Sequence, residues 1–362
     1  ALPIFVLGSL IGAIVIGGTW YLFSVERLLL DSVYPLLSSA TIFVTMLSIN
    51  YFREEAQRQQ IRGAFGQYLS PALVEQLAED PDLLVLGGET REMTILFSDV
   101  RGFTTISETY KEDPQGLTVL INRLLTPFSN AIMETNGTID KYMGDNVMAF
   151  WNATLDNPDH ARDSCITALE MLERLKTLNT ERELEARESG REFLPLDVGI
   201  GINTGECVVG NMGSDVRFDY TVLGDAVNLA ARLEGQSKTY GVRTIIGEAT
   251  AKRVGGAFAT MELDAIRVKG KSEPETIYTL LGPVDGADAP TYEGMQNTVA
   301  AMLTAYRKQN WAGALKAIKT TRKTQGPMDL SGLCDLYEAR IKEFQRNAPP
   351  ENWDGVFTAT TK

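Results

Sequence analysis

Hydrophobic patterning divides the chain into unlike parts. Two stretches, residues 2–23 ("LPIFVLGSLIGAIVIGGTWYLF") and 33–52 ("VYPLLSSATIFVTMLSINYF"), contain no charged residue. Each approaches the roughly 20 apolar residues a helix needs to cross a bilayer. The connector "SVERLLLDS" carries one positive and two negative charges, whereas "REEAQRQQIR" after the second run brings three arginines. By the positive-inside tendency the arginine-rich side is cytoplasmic, and the rest of the chain is expected there. A buried hairpin in a soluble core is the alternative reading of both runs. A cleavable signal peptide fits neither, because the first lacks a basic start and the second is internal. A start at Ala1, already inside an apolar run, reads as a processed or truncated protein.

Beyond residue 52 the periods are those of a globular α+β protein. Residues 53 to about 86 read as helical and then turn-rich, with Ser70-Pro71 marking a helix start. This juxtamembrane piece is a passive linker or a dimerising signal helix; its position, which must transmit any membrane motion, favours the second. "MTILFSDV" (93–100) predicts an apolar strand, and "GFTTISETY" opens a helix. "LTVLINRLLTPFSNAIMETNG" has apolar residues at helical spacing up to Asn136-Gly137. "TIDKYMGDNVMAFW" predicts a hairpin, and 158–188 a long helix followed by a charged stretch. "LPLDVGIGINTGECVVGNMG" predicts two strands around a turn at Asn203–Glu206. "GDAVNLAARLEGQSKTYG" predicts a helix ending at Gly241, "VRTIIGE" a strand, and "AIRVKGKSEPETIYTLLG" the last strand pair.

This order predicts an α+β, ferredoxin-like βαββαβ domain with helices covering one sheet face. From Thr291 onward two apolar-periodic segments predict a helical hairpin packed on the core, followed by the tail "APPENWDGV". The expected organisation is therefore 1–52 two transmembrane helices with a short extracytoplasmic connector; 53–89 a signalling or dimerising linker; 90–282 the α+β domain; 283–362 a helical extension.

Composition narrows the chemistry. A net charge of -13 over 362 residues argues against nonspecific nucleic-acid binding, since a polyanion is repelled. Cys165, Cys207 and Cys334 lie far apart and make no metal spacing. His160 is the single histidine, so metal chemistry falls to carboxylates and hard cations. Two glycine-rich runs fail as phosphate motifs. "GIGINTG" has its third glycine one residue late for a dinucleotide fingerprint, and "KGKS" has Ala265 where a phosphate loop needs glycine.

The informative residues lie in "FSDVRGFT", "KYMGD" and "GDAVNLAARLE". Asp99 ends a strand and precedes a turn into a helix, whose free N–H groups suit phosphate. Asp145, at a second strand–turn junction, could reach the same cations, an arrangement suited to two-metal phosphoryl or nucleotidyl transfer. Lys141 stands four residues before it; alone, this charged turn is a solvated hairpin tip or a site. Asn228 and Arg232 share a helix face and suit a ribose oxygen and a pentacovalent phosphate, or simply face solvent. Lys269 could bind terminal phosphates or lie idle on the surface.

In their order and spacing these segments resemble the class III nucleotidyl cyclases, over residues 90 to 282 or so. The resemblance implies that Asp99 and Asp145 hold two Mg²⁺ (or Mn²⁺) and that backbone at Gly102, Phe103 and Thr104 cradles phosphates. It implies that Asn228 and Arg232 orient the ribose and stabilise the transition state, and that Lys269 binds triphosphate. Lys141 and Thr221 match the purine-selecting positions, where guanylate cyclases carry Glu and Cys. Lysine donates to adenine N1 and a threonine hydroxyl accepts from N6, so ATP is the expected substrate of an adenylate cyclase; a degenerate cyclase fold that binds nucleotide without turnover, or a guanylate cyclase, is the alternative. The family site is shared between two subunits, which implies a homodimer. The membrane runs with "RQQIRGAFGQYLSP" also resemble cyclases carrying an extracytoplasmic CHASE2-type sensor, here absent from the chain.

Overall fold

The computed structural model describes residues 2–28, 30–31, 33–65, 74, 87–153, 156–190, 192–214, 218–267, 273–350 and 353–358. The Ser70-Pro71 helix start and Lys269 lie outside them. Two compact units result, Ala1–Ala64 and Phe65–Lys362.

The first unit contains α1 (Leu2–Glu26) and most of α2 (Val33–Phe65). Their hydroxyls bond to the helix's own backbone: Thr19 to Val15 O, Thr41 to Leu37 O and Ser48 to Val44 O, each at 2.8 Å. Such back-bonding satisfies these hydroxyls without water, as a lipid-facing surface requires. Two spans were expected. Among the described residues one helical segment, Val33–Ala56, is long and apolar enough to cross a membrane, with a mean hydropathy of 1.4. Past it α2 runs without a break into the arginine-bearing stretch.

The second unit is built on a mixed sheet. Its elements are β1 (Gly87–Val100), α3 (Phe103–Thr109), α4 (Pro114–Glu134), β2 (Thr138–Met143), β3 (Asn146–Trp151), α5 (His160–Ser189), β4 (Val198–Gly213), β5 (Phe218–Leu223) and α6 (Asp225–Tyr240). There follow β6 (Thr244–Gly247), α7 (Glu248–Val254), β7 (Phe258–Arg267) and β8 (Glu275–Pro283). The order is β2-β3-β1-β4-β6-β8-β7-β9, with β5 paired to β4. Its first four strands, with α4 and α5, give the expected βαββαβ arrangement.

Helices cover both sheet faces, not one. β1 alternates between two cores: Leu96 and Val100 pack in the cluster with Leu124, Phe128 and Met171 of α4 and α5, while Met93, Ile95 and Phe97 pack in the cluster with Ala226 and Ala230 of α6. Glycine permits that second layer. A Cβ on Gly201 would lie 2.2 Å from the Glu234 backbone N and 2.3 Å from Ala230 O, so α6 rests directly on β4. The glycines of "GIGINTG" thus serve helix–strand packing.

The expected turn at Asn203–Glu206 is absent. β4 is continuous because Thr204, Gly205 and Glu206 keep register with Thr94, Met93 and Glu92 of β1. Two of the polar side chains that suggested a turn bond inside the fold instead: Asn203 Nδ2 donates to Ala226 O at 3.1 Å, and Thr204 links Thr94 and Thr250 through hydroxyls.

The C-terminal stretch forms three helices rather than a hairpin: α8 (Ala289–Arg307), α9 (Trp311–Thr321) and α10 (Ser331–Arg346), then the short β9 (Phe357–Thr358) against β7. They share one apolar cluster with α6 and β6–β8. Tyr306 sits at its outer end, with the rings of Tyr337, Trp353, Trp311 and Phe344 at 4.8, 5.4, 5.8 and 6.0 Å. The tail therefore contributes Trp353 as packing.

Candidate active site

Strand register brings Asp99 and Asp145 together. Ser98 of β1 stands opposite Val147 of β3, so the β2–β3 turn falls beside the end of β1. Gly144, at φ +70°, supplies the left-handed residue this tight turn needs. The Val100 N–H then donates to Asp145 Oδ2 at 3.2 Å. The Asp99 and Asp145 side chains are half-buried and close enough to act on each other electrostatically. Burial first, then the charge of Asp145, raises the Asp99 pKa above the usual carboxylate range; burial also raises that of Asp145.

Gly102, at φ +67°, turns the chain from β1 into α3. Phe103 and Thr104 occupy the first turn, where N–H groups have no acceptor within the helix. The three lie three to five residues past Asp99, with Gly102 and Thr104 exposed. Arg101 turns away, pairing with Asp197 at 3.0 Å and with Val242 O.

Lys141 and Thr221 meet at a second cluster, through a residue the motif reading passed over. Thr221 Oγ1 donates to Asp140 Oδ2 at 2.7 Å, and Lys141 Nζ lies 3.3 Å from Asp140 Oδ1. That second contact is an ion pair by distance but lacks hydrogen-bond alignment, so Oδ1 counts as a buried acceptor without a bonded donor. The Asp140 side chain is 0% exposed, whereas that of Lys141 is 44% exposed.

Asn228 and Arg232 are both exposed on one face of α6. Asn228 Nδ2 makes a long bond to Gly224 O at 3.4 Å. Among the described residues no hydrogen bond or ion pair joins either of them to Asp99, Asp145, Lys141 or Thr221. Nor does one join the Asp99–Asp145 pair to Lys141 or Thr221. A groove of about 1250 Å³, lined by Arg162, Lys176, Arg243 and Asp288 among others, contains none of these residues. His160 is buried, its Nδ1 2.7 Å from Thr94 Oγ1, and burial lowers its pKa.

The adenylate and guanylate cyclase catalytic domain family model matches residues 87–282. The chain belongs to this family. It is similar to an adenylate cyclase of Anabaena cylindrica, 40% identical over 193 residues, 52% of this chain and 36% of that protein. It is likewise similar to adenylate cyclase 1 of Rhizobium meliloti (strain 1021), 34% identical over 221 residues, 61% of this chain and 32% of that protein. The chain thus spans about a third of the length of these relatives. A bacterial light-regulated adenylyl cyclase of known structure aligns with a TM-score of 0.52 at 25% identity, covering 65% of each chain.

The cyclase domain's donor set fits hard divalent cations. Two carboxylates in mutual contact, both with raised pKa, are relieved by a cation between them. Asn146 Oδ1 beside them is buried without a partner. No group of three His, Cys, Asp or Glu forms a metal cluster among the described residues, so further oxygen ligands would come from substrate and water. A third acid, Glu234 of α6, feels this pair: burial, then the charge of Asp99, pushes its pKa up to about 7. Its sequence signal was its place in "AARLE", read only for the arginine. Asp140 was signalled by adjacency to Lys141 alone.

Proposed function

We propose that this chain is a membrane-anchored adenylate cyclase, converting ATP to 3′,5′-cyclic AMP and pyrophosphate at sites shared between two copies. One observation carries the reading: the Asp99–Asp145 pair is formed within a chain, yet Asn228 and Arg232 stand exposed and unlinked to it. A substrate touching both groups is supplied by two chains, one giving the carboxylates and the other Lys141, Thr221, Asn228 and Arg232. The exposed cross-strand pair Val208 and Leu223, 39% and 60% accessible, supports burial against a second copy. The adenylate cyclase relatives support the substrate class.

The reaction is an in-line attack of the ribose 3′-oxygen on the α-phosphate. Two Mg²⁺ or Mn²⁺ ions at Asp99 and Asp145, when bound, supply Lewis-acid activation of the 3′-hydroxyl and neutralise triphosphate charge. Asn228 holds the ribose in the attacking orientation, and the Arg232 guanidinium stabilises charge building on the α-phosphate. The first turn of α3 offers N–H groups to the phosphates, with Lys269 binding the terminal ones. Lys141 donates to adenine N1 and Thr221 accepts from N6; guanine, with donors at N1 and N2, leaves them mismatched. Hydrogen-bonded discrimination of this kind reaches about 10⁴ in favourable cases. No side chain is assigned as general base, since His160 is committed to the Thr94 hydroxyl.

The apolar span in the first part of α2 anchors the chain. The rest of α2 carries a signal toward the catalytic domain on the cytoplasmic side. The test is purified full chain with Mg²⁺ or Mn²⁺ and either ATP or GTP, with products separated by chromatography. Cyclic AMP from ATP is expected. Cyclic GMP as the main product overturns the base assignment, and no cyclic nucleotide from either overturns the enzyme reading.

A further inference from the structure

Asp140 occupies an irregularity in β2. The β2–β3 register pairs Ile139 with Ala149 and Lys141 with Met148, leaving Asp140 as the extra residue of a β-bulge. In a regular strand residues 140 and 141 would point to opposite faces. A bulge breaks that alternation and re-aims side chains. Here the Asp140 carboxylate meets two groups at once, the Thr221 hydroxyl of β5 through Oδ2 and the neighbouring Lys141 ammonium through Oδ1.

Hydrogen-bond polarity follows from the contacts. A carboxylate only accepts, so the 2.7 Å contact consumes the single proton of the Thr221 hydroxyl. Thr221 Oγ1 is left with lone pairs alone to offer a substrate. Oδ1 of the same carboxylate holds the Lys141 ammonium at 3.3 Å while most of that lysine's donors remain available. The pair thus presents one fixed acceptor and one fixed donor.

Resting on the proposed reading that Lys141 and Thr221 contact the base, we infer that Asp140 is a positioning residue for purine specificity. By claiming the Thr221 proton it makes that hydroxyl an obligate acceptor, matched to the adenine 6-amino group and mismatched to the guanine 6-oxo group. Without it, the hydroxyl rotates and donates to guanine O6 as readily as it accepts from an amine.

The test compares kcat/KM for ATP and GTP in the full chain and its Asp140→Asn, Thr221→Val and double variants. Asp140→Asn keeps the shape, but with its carbonyl toward Lys141 its amide donates to Thr221 and reverses the hydroxyl. The ATP:GTP ratio should fall by at least about tenfold, the scale of one misdirected buried hydrogen bond. Thr221→Val should lower it too, and the double variant should fall no further than the lower single variant. A ratio that falls in Thr221→Val but not in Asp140→Asn, or equal losses on both nucleotides in Asp140→Asn, overturns the role of Asp140. An unchanged ratio in Thr221→Val overturns the base-contact reading beneath it. If Asp140→Asn does not fold, Thr221→Ser, which keeps a hydroxyl for Asp140, must retain the ratio that Thr221→Val loses. Equal ratios in those two variants overturn the inference.

Discussion

Removing Arg340 is the sharpest test of what the C-terminal helices do. Its guanidinium, 6% exposed, donates from Nη1 to Asp264 Oδ2 at 2.6 Å and from Nη2 to the Tyr240 hydroxyl at 3.1 Å. Tyr240 donates to the same Asp264 oxygen at 2.6 Å. The Phe357 ring lies under the cation, 3.6 Å from centroid to Cζ. One side chain of α10 therefore ties together β7, β9 and the last residue of α6, the helix carrying Asn228 and Arg232. An Arg340→Met substitution leaves the 1%-exposed Asp264 side chain charged and opposed only by Tyr240 and the Ala265 N–H. Breaking a buried pair in this way costs about 3–5 kcal/mol. Methionine fills part of the volume and relieves the unpartnered Arg340 Nε, which favours the lower end. At about 2 °C per kcal/mol for a unit this large, the melting temperature should fall by about 6–8 °C. Thermal unfolding of the full chain measures it, and cyclase activity at 25 °C should persist while the inactivation temperature falls in step. Adding Asp264→Leu should recover at least half the loss, because an apolar replacement leaves no stranded charge. A fall below about 1 °C, or a double variant no better than the single, refutes the reasoning.

Two further outcomes follow from the site. Asp99→Ala and Asn228→Ala chains should each lose about 10²-fold or more of the activity. Refolded or coexpressed together, random pairing makes half the dimers mixed with one intact site each, so about a quarter of wild-type activity should return. Activity no higher than either variant alone counts against shared sites. The pH dependence of metal-free stability isolates Glu234. With its folded pKa raised to about 7, the native state holds a proton that the unfolded chain releases above its ordinary value near 4.5. Its contribution is full below pH 4.5 and lost as pH rises through 7. Glu234→Gln should therefore be stabilised relative to wild type at pH 8 by about 1–2 kcal/mol after allowing for its partial exposure, and not at pH 4.5. His160, lowered by burial, acts in the opposite sense, losing stability as pH falls below 6.5, and cancels in the comparison. Parallel stability curves for the two proteins would remove the case for a raised Glu234.

Much of the central sheet was legible because alternation and turn chemistry agreed there. β1, the β2–β3 hairpin and α6 fall where apolar period and the glycines at 144 and 241 put them. Misreadings arose where polar or small residues are satisfied inside the fold. "NTGE" in β4 looks like a turn until Thr94, Thr250 and Ala226 supply its partners. "GIGINTG" looks like a failed phosphate motif until α6 is seen resting on Gly201. The tie from Arg340 to Asp264 joins residues 76 apart, and no local period announces such a partner.

The hairpin 138–151 concentrates the functional argument. Its bulge at Asp140 joins Lys141 and Thr221 to one carboxylate, and its turn at Gly144 sets Asp145 beside Asp99 and the Val100 N–H. Lys141 and Asp145 are four residues apart, yet in the proposed dimer they serve different substrates. The sheet beside them carries an apolar cluster on each face. A small shift of this hairpin would change base recognition in one site and cation binding in the other together.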